Sequence, residues 1–413
     1  MKVLHINYKD VVGGAAIAAL RLHEGLTLAG CDSHLLVGEA SVKSDTTTEI
    51  KRRRLIQELN NRFAQKLGLG FITIINTFGI EKYPLYQEAD VIHFHNLHGG
   101  YFNYLALPFL TKRKPAVLTV HDMWNFSGHC TSSYDCERWQ IGCGKCPYPD
   151  YYPSVPLDHT KLEWRLKNWA YHRTNLHFIY PSRWAMEKAQ FSMLKDMPIH
   201  YIPHGLDLTK YQPLDQVKCR YLLGIPLEKK VIMFAAEDVS SPNKGGTFLC
   251  EALTNLAADL KKDLVLIALG KGGDIIANMA GIPVVNLGYI SNDRIKAAAF
   301  SAADLFVLPT LAEIFGLVLQ ESMACGTPMV AFNAGGVGDL VRHYTTGYLA
   351  KLKDSNDLGR GITELLTNDQ LRAKLSVNCR HIALKEYDLS LKVNRYLDVY
   401  RQVIDEFSKG VKH

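Results

Sequence analysis

Short apolar runs rich in valine, isoleucine and leucine alternate with longer helix-like segments along the whole chain, and this alternation most limits its fold. It is typical of parallel sheets whose strands are joined by crossover helices. In the first half we expect strands at residues 2–8, 33–37, 91–95, 116–121, 177–181 and 199–203. In the second half we expect strands at residues 231–235, 264–270, 283–289, 305–309 and 329–332. The sequence therefore predicts an α/β protein with two doubly wound, Rossmann-like sheets.

The segment between these two sets of strands has the composition of a domain boundary. It contains Gly205, Pro213, Gly224 and Pro226 and no long apolar run. We expect domains at residues 1–208 and 209–388, with the helical segment 389–413 packing back on the first domain. Doubly wound sheets bind ligands at the carboxyl ends of their strands, so we expect the site in a central cleft where those ends face each other.

Charge and hydropathy exclude several classes of protein. The chain has 47 Lys and Arg against 41 Asp and Glu, and the basic residues are widely spread, so nucleic acid is not an expected partner. The first residues, MKVLHINYKD, lack the uninterrupted apolar stretch of a secretory signal. No run reaches the roughly 18 to 20 apolar residues of a spanning helix. We therefore expect a cytoplasmic protein.

The turn after the first predicted strand is nearly free of side chains, with Gly13 and Gly14 followed by two alanines. A backbone without Cβ atoms at a helix start can approach a phosphate closely. The spacing is not G-x-G-x-x-G, so it does not predict dinucleotide binding. A tight strand-to-helix turn without a ligand explains these glycines equally well.

Residues 303–347 contain a second and more informative group of polar residues. A loop carries Glu313, a helix begins near Phe315 and Gly316, and Glu321 lies in its second turn. The free N–H groups of a helix start suit an anion, and carboxylates accept hydrogen bonds from hydroxyls. Pyrophosphate, ribose and sugar are the corresponding groups of a nucleotide sugar. Two solvated glutamates beside a core helix would leave the glycines and apolar residues around them unexplained.

The run E-I-F-G-L-V-L-Q-E, followed by S-M-A-C-G-T-P-M-V-A, resembles the E-x(7)-E signature of retaining nucleotide-sugar glycosyltransferases of family four, which have the GT-B fold. Further matching segments, in chain order, are Gly13-Gly14-Ala15, Thr119-Val120-His121-Asp122, Pro181-Ser182-Arg183, Ile202-Pro203-His204-Gly205-Leu206-Asp207, Lys244-Gly245 and Gly335-Gly336. The resemblance implies transfer of a sugar from a nucleoside-diphosphate sugar to a hydroxyl of a glycan or lipid-linked acceptor in surface polysaccharide biosynthesis.

The resemblance also implies a role for each matching residue. Glu313 would hold hydroxyls of the donor sugar, and Glu321 would hold the ribose. Lys244 would neutralise the pyrophosphate, with Gly14 approaching it from the other domain. His121 would lie near the anomeric centre or the outer sugar hydroxyls, although a core histidine at a strand end is the alternative. The implied donor-binding set is Gly13, Gly14, Lys244, Gly288, Tyr289, Ile290, Phe315, Gly316, Leu317, Val318 and Glu321.

The chain departs from the family pattern before Lys244. Many members carry an arginine several residues before the Lys-Gly pair, whereas this chain reads AAEDVSSPNK there. Phosphate neutralisation would then depend on Lys244, the helix start and Lys271, if the turn of Lys271 faces the cleft. No Asp-x-Asp motif occurs, so we expect metal-independent transfer that requires no cofactor. In this family the departing phosphate usually helps to deprotonate the acceptor, so Glu313 would position the sugar and stabilise charge.

Four of the nine cysteines, Cys130, Cys136, Cys143 and Cys146, lie within seventeen residues. Four thiolates on one loop of a reduced cytoplasmic protein suit a structural zinc ion, with no open position for water. Two disulfides, which need an oxidising compartment, and free thiols are the alternatives. We favour zinc, on a loop that would border the acceptor side of the cleft.

Residues 51–66 predict a basic amphipathic helix. Its charge comes from Lys51, Arg52, Arg53, Arg54, Arg62 and Lys66, with Leu55, Ile56, Leu59, Phe63 and Leu67 on one face. Such a helix can bind the surface of an anionic membrane, which would place the protein on the inner face of that membrane. A helix that packs between elements with a solvated basic end is the alternative.

Two other functions remain open from the sequence. A GT-B nucleotide-sugar epimerase or a phosphorylase would share the phosphate-binding cleft but give a different product. A catalytically silent sugar-nucleotide binding subunit would explain the missing arginine, although the presence of Glu313, Glu321, Lys244 and His121 argues against it.

Overall fold

The computed structural model describes residues 1–51 and 72–410, and it divides into two compact units. The first unit comprises Met1–Pro203 and Ser390–His413, and the second comprises His204–Leu389. The division lies a few residues before the predicted boundary between residues 208 and 209. Within the described residues, no helix is long and apolar enough to cross a membrane.

The first unit is built on a seven-stranded parallel sheet with the order β3-β2-β1-β4-β5-β6-β7. Its strands are β1 Lys2–Lys9, β2 Asp32–Glu39, β3 Thr47–Glu49, β4 Val91–Phe94, β5 Ala116–Thr119, β6 Leu176–Tyr180 and β7 Ile199–Tyr201. Its helices are Gly14–Leu28, Pro84–Glu88, Leu107–Thr111, Thr160–Tyr171, Arg183–Ala189 and Leu389–Ser408. Strands β4, β5 and β6 are buried along their whole length, as expected for parallel strands covered on both faces.

The helix Leu389–Ser408 belongs to the first unit from Ser390 onward, although it follows the whole second unit in sequence. Its apolar stripe includes buried Val393 and Val403. Two buried tyrosines of the same helix bond to the sheet: Tyr400 Oη lies 2.7 Å from His93 Nδ1, and Tyr396 Oη lies 2.9 Å from Thr119 Oγ1. The last helix therefore completes the core of the first unit.

The second unit contains a six-stranded parallel sheet with the order β10-β9-β8-β11-β12-β13. Its strands are β8 Lys230–Asp238, β9 Leu264–Lys271, β10 Val284–Gly288, β11 Leu305–Leu308, β12 Met329–Phe332 and β13 Gly347–Ala350. Its helices are Gln216–Leu222, Gly246–Thr254, Ala258–Lys262, Gly273–Ala280, Asp293–Ala302, Leu317–Ala324, Val337–Leu340, Ser355–Thr367 and Asp369–Glu386. The prediction of two doubly wound parallel sheets is confirmed.

Each sheet reverses its strand order once, between β1 and β4 in the first unit and between β8 and β11 in the second. At such a switch point the loops after two neighbouring strands diverge and leave a crevice at their carboxyl ends. Sites are therefore expected after β1 and β4, and after β8 and β11.

Candidate functional site

Lys244 and Glu313 meet at the switch point of the second sheet. Lys244 follows β8 and Glu313 follows β11, and Lys244 Nζ lies 2.9 Å from Glu313 Oε2. The two side chains are 31% and 22% exposed, so both remain accessible to a ligand. The structure thus brings together two residues that the sequence analysis assigned to the pyrophosphate and to the sugar.

Backbone contacts hold the loops of Lys244 and Glu313 together. The N–H of Leu311 donates to the carbonyl of Asn243 at 2.9 Å, which joins the loop after β11 to the loop after β8. On the other side, the N–H of Gly336 donates to the carbonyl of Glu313 at 2.8 Å. A Cβ atom on Gly335 would lie 2.1 Å from that carbonyl oxygen, so only glycine permits this approach.

The helix Leu317–Ala324 begins directly after Glu313. Gly316 precedes it with φ of +91°, and the first intrahelical bonds run to the Gly316 carbonyl from Leu319 and Gln320. The N–H groups of Leu317 and Val318 belong to the helix start, where donors have no intrahelical acceptor and the helix dipole favours an anion.

Phe315 also precedes this helix, but its side chain is buried. Its ring packs edge-on against His204, with centroids 5.0 Å apart. Phe315 therefore offers only its backbone to a ligand, and its side chain anchors the loop.

Glu321, expected to hold the ribose, is only 4% exposed. Its Oε1 lies 3.9 Å from Lys296 Nζ, and Lys296 is also paired with Asp293 at 2.8 Å. Lys296 was not identified from the sequence. Its spacing from Asp293 on one helix turn was readable, but its approach to Glu321 depends on the packing of two separate helices.

Gly288, Tyr289 and Ile290, three of the residues expected to bind the donor, lie at the end of β10 and directly after it. Gly288 has φ of +63°, and its N–H donates to Asn286 Oδ1 at 3.1 Å. Tyr289 is 46% exposed, and Lys271 Nζ lies 5.8 Å from the centre of its ring. Lys271 therefore lies beside this loop.

In the first unit, Gly13 and Gly14 form the turn between β1 and its helix. Gly13 has φ of +92°, a conformation that favours glycine, whereas a Cβ atom on Gly14 would meet nothing within 4 Å. Asp10 fixes the turn, because its carboxylate accepts hydrogen bonds from the N–H groups of Val11 and Ser41, each at 2.8 Å. The packing of the chain itself thus gives no steric reason for glycine at position 14.

His121 lies on the loop after β5, because that strand ends at Thr119 rather than at residue 121 as predicted. Its Nε2 lies 3.0 Å from Nδ1 of His95. Desolvation lowers the pKa of His121 to about 3, so its imidazole is neutral at neutral pH.

His121 is connected to a cluster of histidines that the sequence analysis missed. His5 of β1 pairs with His93 of β4, and His95 follows two residues later. One ring nitrogen from each of these three side chains lies within 4.8 Å of the other two, and all three side chains are buried. Their signal in the sequence was the i, i+2 spacing in V-I-H-F-H, which places both histidines on one face of a strand.

Next to His121, Asp122 bonds to two groups of the first unit. Its Oδ2 lies 2.7 Å from His98 Nε2, and its Oδ1 accepts the N–H of Trp124 at 2.9 Å. Burial opposes ionisation of Asp122, but its contacts with His98 and with the N–H of Trp124 contribute to a net lowering of its pKa. These contacts stiffen the loop that carries His121.

The four clustered cysteines are partly buried and carry no disulfide. Among the described residues, the only group whose ligand atoms all lie within 4.8 Å of one another is the histidine trio, so no three of these sulfurs approach as closely as ligands of one ion. The chemistry of the thiol set suits zinc, but the spacing in this structure does not. Binding of one zinc ion would require the sulfurs to move closer together, so the zinc site stays a prediction. His129 lies beside this cluster, with its Nε2 3.2 Å from Cys146 Sγ.

Two family models match the chain in succession. The model described as Glycosyltransferase Family 4 matches residues 12–210, and the model described as Glycosyl transferases group 1 matches residues 220–381. A putative colanic acid biosynthesis glycosyl transferase, WcaC of Escherichia coli, is 24% identical over 83% of this chain and 85% of its own length. A phosphatidyl-myo-inositol mannosyltransferase of Mycobacterium leprae is 30% identical over 55% of this chain and 58% of its own length.

Solved structures share the fold at low sequence identity. Sucrose-phosphate synthase of Thermosynechococcus elongatus superposes with a TM-score of 0.72 at 17% identity, covering 98% of this chain and all of that one. HepE of Anabaena, solved in complex with UDP-glucose, gives a TM-score of 0.64 at 19% identity, covering 99% of this chain and all of HepE.

The two parallel-sheet units and the solved structures that share them place the fold in the GT-B class. With both family models matched in order, the chain belongs to the family-four glycosyltransferases.

Proposed function

We propose that this glycosyltransferase moves a sugar from a nucleoside-diphosphate sugar to a hydroxyl of a glycan or lipid-linked acceptor, with retention of anomeric configuration and without a metal ion. The observation that carries this proposal is the contact of Lys244 with Glu313 beside the start of the helix Leu317–Ala324. A cation, a helix start and a carboxylate within one crevice match a diphosphate joined to a sugar.

In the proposed reaction, the bond between the anomeric carbon and the phosphate oxygen breaks, and its electron pair stays on the phosphate. The acceptor oxygen bonds to the anomeric carbon on the same face, and its proton passes to the departing phosphate. Lys244 and the N–H groups of Leu317 and Val318 stabilise the charge that develops on this leaving group. Glu313 accepts hydrogen bonds from the sugar hydroxyls, and Glu321 accepts them from the ribose.

Donor binding changes the partner of Lys244. In the structure Lys244 is paired with Glu313, so a diphosphate must share or replace that contact. Both side chains are partly exposed, and an exposed ion pair contributes only about 0 to 1 kcal/mol, so the exchange costs little. The pair therefore holds both side chains in place until a donor binds.

The proposed acceptor is a surface glycan or its lipid-linked precursor. This part of the proposal is supported by the relative named for colanic acid biosynthesis, which is matched over most of its length, and by the relative named for a phosphatidyl-inositol acceptor. Among nucleoside-diphosphate sugars we propose a UDP-sugar as the first donor to test, because HepE, which shares the fold, was solved with UDP-glucose.

Peripheral binding to the inner face of a membrane, by a protein that is otherwise cytoplasmic, belongs to the same proposal. It rests on the basic residues between 51 and 66, and of these only Lys51 lies within the described part of the chain. A lipid-linked acceptor would require such an approach to a bilayer.

The deciding experiment is incubation with UDP-, GDP- and ADP-sugars and a mixture of glycan and lipid acceptors, with EDTA and with Mg²⁺. We expect release of nucleoside diphosphate with one donor, unchanged by EDTA, and a product whose anomeric proton shows retention by NMR. An altered nucleotide sugar without release would indicate an epimerase, and a requirement for inorganic phosphate would indicate a phosphorylase. Binding without any turnover would indicate a silent subunit.

A further inference from the structure

A chain of three histidines in the first unit runs from the interior of the sheet to His121, on the loop after β5. His5 Nδ1 lies 3.0 Å from His95 Nε2, and His95 Nδ1 lies 3.0 Å from His121 Nε2. We infer that His5 and His95 are positioning residues that hold His121 in the tautomer with its proton on Nδ1, so that His121 meets the substrate as a neutral hydrogen-bond donor. The part that concerns substrate rests on the proposed function.

The imidazoles of the three linked histidines, His5, His95 and His121, are neutral at neutral pH. Burial lowers the pKa of His5 and of His95 well below the usual range, and Lys392 of the last helix adds to the effect. A neutral imidazole carries one proton, so it donates through one nitrogen and accepts through the other. Each of the two contacts, His5–His95 and His95–His121, needs one proton between its nitrogens. The three histidines must therefore all donate in the same direction along the series.

Two arrangements satisfy both contacts. In the first, His5 Nδ1–H donates to His95, His95 Nδ1–H donates to His121 Nε2, and the proton of His121 lies on Nδ1. In the second, every proton moves to the other nitrogen, so that His121 donates to His95, His95 donates to His5, and the proton of His5 lies on Nε2. The arrangements differ at the two ends of the chain.

The inner end of the chain decides between the two arrangements. His5 Nε2 is buried, and no hydrogen-bond partner faces it among the described residues. The nearby ring of His23 offers no nitrogen, because its Nδ1 contacts Ser33 Oγ at 2.8 Å and its Nε2 contacts Thr46 Oγ1 at 3.1 Å. Burying an N–H without an acceptor is less favourable than burying an acceptor without a donor. The first arrangement is therefore the stable one.

The adjacent His93 holds the chain in place. Its ring stacks on that of His95 with centroids 3.9 Å apart. Its Nδ1 contacts Tyr400 Oη and its Nε2 contacts Thr119 Oγ1, each at 2.7 Å. Because both nitrogens of His93 are engaged, it supports His95 without exchanging a proton with it.

The test determines the tautomer of His121 by long-range proton–nitrogen NMR of the full chain, with its histidines isotopically labelled. The signal of His121 is assigned by its loss in the variant His121→Gln. Protein treated with chelator should show His121 protonated on Nδ1 across pH 6 to 8. In His95→Phe, His121 should become a mixture of tautomers. Protonation on Nε2 or a charged imidazolium in the wild type would overturn the inference, as would an unchanged tautomer in His95→Phe.

The matched control is His177→Phe. His177 Nδ1 lies 3.0 Å from His200 Nε2, so this change removes another partly buried contact between histidines of the same sheet, together with the contact of His177 Nε2 with Glu406. It should leave the His121 signal unchanged. Added Zn²⁺ should also leave the His5, His93 and His95 signals unchanged, and a response there would mean that the trio binds metal instead. If His95→Phe does not fold, the wild-type measurement still decides the tautomer.

Turnover gives a second measurement. In His95→Phe we expect kcat to fall at least tenfold while the Kd of UDP changes less than twofold, because Lys244 and the helix start that are proposed to bind the diphosphate belong to the second unit. A fall in both, also seen in His177→Phe, would indicate general damage and overturn the positioning role. If no donor is turned over at all, the proposed function fails while the NMR result stands.

Discussion

Replacing Lys244 with methionine tests the candidate diphosphate site most directly. The change removes the ammonium group and keeps most of the apolar stem. In the free protein, the only contact that the structure gives to Lys244 Nζ among the described residues is the one with Glu313 at 2.9 Å. Because that pair is partly exposed, its loss should cost at most about 1 kcal/mol of stability.

The loss of nucleotide affinity should be larger than the loss of stability. A hydrogen bond to a charged group contributes about 1.5 to 3 kcal/mol. Since Lys244 is 31% exposed, solvent screens its charge, and we expect the lower part of that range. A loss of about 1.5 to 2.5 kcal/mol corresponds to a roughly 10- to 60-fold increase in Kd.

The assay is isothermal titration calorimetry with UDP, with GDP and ADP in parallel. The matched control is Lys230→Met. Lys230 begins β8, the strand that precedes Lys244, it is 34% exposed, and it is also paired with a carboxylate, that of Asp369 at 3.3 Å. Lys230→Met should bind as the wild type does. Unchanged affinity in Lys244→Met, or an equal loss in both variants, would refute the assignment of Lys244 to the diphosphate.

Four further predictions follow from the structure and the sequence. Glu321→Ala should weaken UDP binding by about 1 to 3 kcal/mol in calorimetry, whereas Glu313→Gln should lower turnover while the Kd of UDP stays close to wild type; the reverse pattern would exchange their roles. The free energy of unfolding, measured by urea titration, should fall steeply between pH 7 and pH 5. Histidines of the unfolded chain bind protons below their pKa of about 6.5, whereas His121 of the folded protein, with a pKa of about 3, stays neutral. This difference in proton binding lowers the free energy of unfolding by about 2 kcal/mol at pH 5 for each such histidine. Equal stability at the two pH values would contradict buried neutral histidines. Elemental analysis should find about one zinc per chain, lost in the double variant Cys143→Ser, Cys146→Ser but kept in Cys250→Ser; four reactive thiols and no metal in the wild type would disprove the site. Anionic vesicles should sediment the protein at low salt, and Arg52→Glu, Arg53→Glu and Arg54→Glu together should abolish this while UDP still binds; failure of the wild type to sediment would exclude the membrane contact.

The sequence predicted every interior strand and the edge strands β7 and β10, and it missed the other two edge strands, β3 and β13. The eleven expected strands form, because each is a short apolar run between turn signals. β3 and β13 were missed for different reasons. Thr47–Glu49 is short and polar, and Gly347–Ala350 begins at a glycine whose missing Cβ lets the chain approach the Met329 carbonyl. For β3 and β13, pairing with a neighbouring strand rather than composition identifies the strand.

For the candidate site, local motifs were readable and long-range contacts were not. Resemblance to a family singled out Lys244 and Glu313, but only the sheet order explains why residues 69 positions apart come within 2.9 Å. The histidine chain was not foreseen, since it depends on the pairing of β1 with β4. Its surroundings include Tyr400, more than 300 residues further along the chain than His93. No periodicity in a single segment reports such a contact.

The position of the helix Leu389–Ser408 has a consequence for biosynthesis. The core around His93 and Thr119 is closed by side chains of this helix, yet the ribosome must first complete all of His204–Leu389. At about 5 to 20 residues per second, roughly 190 residues correspond to roughly 10 to 40 s. During that interval the nascent first unit lacks its last helix, and the second unit, which is continuous in sequence, can fold ahead of it. A chain whose synthesis stops before this helix would therefore have a complete second unit and an incomplete first unit.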